Sequence, residues 1–160
     1  MSLRGALALI VVLVAGLAAA VVARGTPPVG RAGVGLDDDG SLVGYLEVCS
    51  EHLDGATISG PDDGDVVGRW QSSAPVTHSA SWSLADPQEG WTAVEQPSEL
   101  EPGVTYRVQG WTLDGSFTAS GVDFTAEDLA AIEPGQVLFV EDGHMAAGEP
   151  DVFRTYACIT

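Results

Sequence analysis

The chain has 160 residues with six arginines, no lysine and 23 acidic residues, for a formal net charge of −17. A field of that sign repels nucleic-acid phosphates and anionic lipid headgroups, which excludes nucleic-acid binding and flat adsorption to an anionic membrane.

Residues 5–23 form an unbroken run of uncharged, mostly apolar residues between Arg4 and Arg24. At about 1.5 Å per residue, a helix of that length nearly crosses a hydrocarbon core of about 30 Å. Residues 1–24 therefore read as an N-terminal hydrophobic helix, either a signal peptide or a transmembrane anchor. Ala18-Ala19-Ala20 and Val21-Val22-Ala23 offer small residues for a cut, while the run is longer than most signal cores. Both outcomes stay open. Either way the amino end stays inside, residues 5–23 make the only membrane contact, and the rest is extracytoplasmic, tethered to the cell membrane or secreted. No cysteine lies near residue 20, which excludes lipid attachment there. Without the first 24 residues, four arginines face 23 carboxylates, a net charge of −19.

Residues 25–41 are rich in Gly, Pro and Asp without periodicity and read as a flexible linker. From 42 to 160 the chain is long enough for one domain with one core. Residues 44–51 alternate as a strand, with Tyr45, Glu47 and Cys49 on one face and Leu46 and Val48 on the other. Further strands are predicted over 56–59, 66–71, 76–84, 91–95, 104–112, 116–124, 136–141 and 152–159. Most are bounded by Asp-Gly, Glu-Gly or Pro-Gly turns, and residues 113–116 form a tight hairpin turn. One short helix starts at Thr125, with Glu127 and Asp128 in its first turn and a loose capping-box pattern to Asp128. Leu129 and Ile132 give it an apolar face, Pro134-Gly135 ends it, and it plugs one end of the fold. Many short strands and one helix predict an all-β, antiparallel β-sandwich.

Two cysteines, Cys49 and Cys158, stand in a chain bound for an oxidising compartment. Such an isolated pair predicts a disulfide joining the first strand of the domain to the last, the alternative being two separate thiols.

Residues Leu100, Pro102, Gly103, Tyr106 and Val108 lie in a stretch, LEPGVTYRV, that resembles the Leu-x-Pro-Gly-x-x-Tyr-x-Val segment of fibronectin type III domains. Residues 79–82, ending in Trp82, are similar to an early strand of that family. The resemblance implies an Ig-like sandwich and a tyrosine corner, in which the Tyr106 hydroxyl bonds back to the chain a few residues upstream. Trp82 and Tyr106 are too close in sequence to hold all the family's intervening strands, so the implication covers the corner and the sandwich, not the strand order. The anchor, linker and Cys-stapled β domain together are similar to exported actinobacterial proteins.

No chemical motif accompanies this architecture. His52, His78 and His144 lack zinc-binding spacing, and Cys158 has no His and Met after it for a type 1 copper site. His144-Met145 reads as an exposed turn. No Gly-x-Ser-x-Gly elbow occurs. Acidic loops lie at 37–39 and 62–65. The second, with Asp62, Asp63 and Asp65, is the candidate calcium loop, although neither matches EF-hand spacing. Trp70, Trp82, Trp91 and Trp111 read mainly as core, with Trp91 the candidate for an exposed sugar platform. The reading is a non-catalytic binding or structural module, without cofactor, that meets an unidentified protein or glycan at the cell envelope. A cell-surface hydrolase without recognisable motif and a calcium-dependent adhesive module are the alternatives.

Overall fold

The structure is a computed structural model that describes residues 25–62 and 65–159; the apolar run of 5–23 lies outside the described residues. Among the described residues no helix is long and apolar enough to cross a membrane. In chain order the elements are β1 (Pro28–Leu36), β2 (Leu42–Val48), β3 (Leu53–Ser59), β4 (Val66–Val76), β5 (Ser79–Ser83), β6 (Trp91–Glu95), β7 (Tyr106–Trp111) and β8 (Thr118–Phe124). After them come α1 (Ala126–Ala131), β9 (Val137–Glu141), β10 (His144–Gly148) and α2 (Pro150–Ala157).

All ten strands belong to one sheet, and β1 is its branch point. It pairs antiparallel with β2 from Gly30 to Leu36, parallel with β8 near its start, and antiparallel with β9 near its end. The sheet runs β5-β2-β1-β8-β7-β3-β4-β6 and curls until it nearly closes into a barrel, with the β9–β10 hairpin attached beside β1. Indoles span the seam. Trp82 of β5 stacks on Trp91 of β6 with centroids 4.5 Å apart, and the Trp70 N–H donates to the Leu84 carbonyl at 3.0 Å. Gly44 makes room for this packing, because a Cβ there would run into the Trp82 ring.

The structure corrects several expectations. Residues 28–36, read as part of a flexible linker, form β1 at the centre of the sheet. Ala32 and Val34 enter the barrel core, whereas Gly33 and Gly35 on the opposite face leave no apolar periodicity to read. The parallel pairing of β1 with β8 makes the sheet mixed, not antiparallel. Residues 152–159, read as the last strand, fall mostly in α2. Pro150 is favoured in a first helical turn, and Phe153 and Ala157, four apart, share its buried face. The strand expected over 76–84 is split between β4 and β5 by Thr77 and His78.

Two apolar cores result. The barrel interior holds Val34, Leu46, Leu53, Ile58, Trp70, Trp82, Val108 and Phe124 among others. On the outer face of β1, β2 and β9, α2 covers a second cluster of Val43, Tyr45, Val137, Phe139, Phe153 and Ala157. β2 thus buries Leu46 and Val48 inward and Val43 and Tyr45 outward. Cys49 and Cys158 are disulfide-bonded with Cα atoms 5.4 Å apart, joining the end of β2 to the C-cap of α2 and not two strands. Arg31 secures the same helix end, donating from Nε to the Ala157 carbonyl and from Nη1 to the Val140 carbonyl, both at 3.0 Å. A cation is favourable there because the helix C-terminus carries partial negative charge.

Candidate functional site

The strand directions give the barrel two ends. One holds the start of β1, the β2–β3 and β4–β5 loops, the β7–β8 turn and the disulfide. The other, about 26 Å away along β1, holds the β1–β2 turn, the β3–β4 and β6–β7 loops and α1.

A cleft of about 540 Å³ opens at this second end. Its floor is barrel core: Ile58, Trp70, Leu84 and Leu129. Half-buried Leu36, Leu42, Val67 and Leu100 form its walls, with Ala126 and Ala130 of α1 above. The indole N–H on the floor is already bonded to the Leu84 carbonyl, so the lining is almost wholly apolar.

The rims are braced. Thr125 caps α1 in a full capping box with Asp128, which directs Leu129 into the core. The Glu127 carboxylate accepts from the Gly103 N–H at 3.0 Å, tying α1 to the β6–β7 loop. Tyr106, buried against Phe124, accepts from the Glu101 N–H at 2.8 Å through its hydroxyl and fixes the same loop, with Leu100 packed on the core. Pro102 and Gly103 make the intervening turn, Gly103 with φ of +74°. Across the cleft, Asp37 Oδ1 accepts from the Asp39 and Ser41 N–H groups. Walls held this way present a largely pre-formed cavity.

Acidic side chains crowd the cleft end. Asp38, Asp39, Glu99, Glu101 and Glu133 stand exposed at the cleft end, and no ion pair among the described residues involves any of them. The arginines have other partners, although Arg154 shares a recess with Asp38 and Glu133. Arg31 holds the end of α2, Arg107 pairs with Asp123, Arg154 pairs with Asp151, and Arg69 lies over the Trp111 ring, 5.0 Å from its centroid. The Arg107–Asp123 hydrogen bonds hold the Asp123 carboxyl below its usual range and raise the guanidinium.

The residues considered for chemistry do not gather at the cleft. His52, His78 and His144 lie on separate loops or strand ends, and none lines it. His52 Nε2 is 3.6 Å from Asp54 Oδ2, and Asp54 accepts from the Leu113 N–H, bracing the β7–β8 turn. In that turn Asp114 is lowered to about 2, chiefly by the Ser116 backbone N–H. His144 and Met145 open β10 and are not in a turn. Asp62 and Asp65 flank residues 63 and 64, which lie outside the described residues, so Asp63 of the candidate calcium loop has no placement. Among the described residues no three His, Cys, Asp or Glu side chains converge to hold a metal ion.

The tryptophans offer little sugar platform. Trp70 and Trp82 are fully buried. Trp91 is half-buried with one face on Trp82. Trp111 lies against Gly55, where a Cβ would strike its ring, with Arg69 over it and its N–H donated to Thr57.

Comparison of the chain with protein-family models, curated proteins and solved structures finds no match. Sequence reasoning missed the cleft because its lining comes from six separated segments. The local signals were apolar residues beside turns: Leu36 and Leu42 around the Asp-rich turn, and Leu100 before Pro102.

Proposed function

We propose that the protein is an exported, non-catalytic ligand-binding module whose receiving surface is the open end of its barrel. The observation that carries this reading is the apolar cleft of about 540 Å³ with a core floor and braced walls. Ligand sites are characteristically concave, mostly apolar and few per protein, and barrel mouths are a common place for them. The disulfide supports export, as does the apolar run before β1. β1, the first strand after that run, starts at the end of the barrel opposite the cleft, so a tethered molecule directs the cleft away from the membrane. An Ig-like kinship of the strands is supported by the Tyr106-to-Glu101 corner; the single mixed sheet departs from it.

The test is a titration of the full chain in phosphatidylcholine nanodiscs with 1-hexanol, followed by tryptophan emission against empty nanodiscs. Trp70 on the cleft floor makes emission sensitive to occupancy. A saturable change is expected, and it should vanish in Ala130→Phe, which fills the cleft from an exposed position on α1. A linear response identical in both chains refutes the reading.

A further inference from the structure

From the charge around the cleft we infer its ligand class: an amphiphilic cation, an apolar body bearing one positive head. This rests on the cleft being the binding site and goes further by specifying what enters it. The apolar lining selects a hydrocarbon or aromatic body, since only such a surface is matched on transfer from water. The rim selects the head. Glu99 lines the cleft, Asp39 stands on the turn that ends beside it at Gly40, and Glu101 follows Leu100, whereas Asp38 on the same turn lines a separate recess with Glu133 and Arg154. The carboxylates of Asp39, Glu99 and Glu101 are exposed, and none is ion-paired among the described residues. No arginine lines the cleft. An anionic amphiphile would place its head among like charges, whereas an ammonium head would meet carboxylates without displacing an existing partner.

The same charge argues against other occupants. A second copy would bring a further −19 against this rim. β1, which follows the apolar run in sequence, starts about 26 Å from the cleft. A small cationic amphiphile fits both the volume and the field.

The experiment is isothermal titration of the full chain in phosphatidylcholine nanodiscs with octyltrimethylammonium and, separately, octanoate, with empty nanodiscs subtracted. At low salt the cation should bind at least about ten-fold more tightly, and the preference should shrink as salt rises from about 10 mM to about 0.5 M. The variant D39N/E99Q/E101Q, altered only at exposed positions, should bring the two affinities to within about two-fold. Equal affinities in the wild type, or tighter octanoate, overturn the inference while leaving the cleft as a binding site. A preference kept in the variant also overturns it. If neither amphiphile binds saturably, the reading of the cleft falls with it.

Discussion

The barrel core and the cluster under α2 share β1 and β2 but are held in different ways. Barrel packing is distributed around a nearly closed sheet, and tryptophans fill the seam where hydrogen bonds stop. The outer cluster is a single short helix against three strands, with few buried side chains. Its attachment is concentrated at one end, in the Cys49–Cys158 bond and the two Arg31 hydrogen bonds. The difference separates roles within the molecule. The helix covers one side of the barrel, while the far end stays open above a core floor.

Replacing Cys49 and Cys158 together with serine breaks this comparison most strongly. On the chain-entropy account the closed loop stabilises the fold by about 4–5 kcal/mol at most. Denaturant unfolding should show a loss approaching that figure, and hydrogen exchange should rise first in α2, β9 and β10. Exchange rising equally in β3, β4 and β7 would show that the two regions are not separable. Arg31→Met is the next step down. It removes two charge-assisted hydrogen bonds to the Ala157 and Val140 carbonyls and should cost about 2 kcal/mol, again concentrated in α2. Unchanged unfolding would mean that the disulfide alone holds the helix.

The smallest effect lies on the barrel itself. Asp114 titrates near 2 in the folded chain against an ordinary value of 3.8, so its contribution is complete above the ordinary value and lost as pH falls towards 2. The advantage of wild type over Asp114→Asn in thermal midpoint should therefore fade between about pH 4 and pH 2. An advantage that does not change over that range would contradict the turn geometry.

How much of this was legible depended on whether a segment buries one face or two. β7 reads plainly because Tyr106, Val108 and Gly110 point inward while Arg107 and Gln109 face water. The cap of α1 at Thr125 was equally readable, since it needs only residues three apart. β1 was not, because its outer face carries glycines that let β9 approach and so has no side-chain pattern. For α2 the helical signal was present, with Pro150 at a first-turn position and Val152, Phe153 and Tyr156 at helical spacing, whereas a period of two would split these apolar residues between both faces. The disulfide was predictable from residue count alone, but what it joins was not. The cleft could not be read locally, since α1, the β1–β2 turn and the β6–β7 loop meet only through the closure of the sheet.

The most direct test of the open end as the working surface is methyl-resolved NMR of the full chain in nanodiscs, recorded with and without saturating 1-hexanol. The account predicts shifts at the methyls of Leu36, Leu42, Val67, Leu100 and Leu129, with Val43 and Val137 under α2 unmoved. Shifts confined to Val43 and Val137, or no saturable shift anywhere, would contradict it.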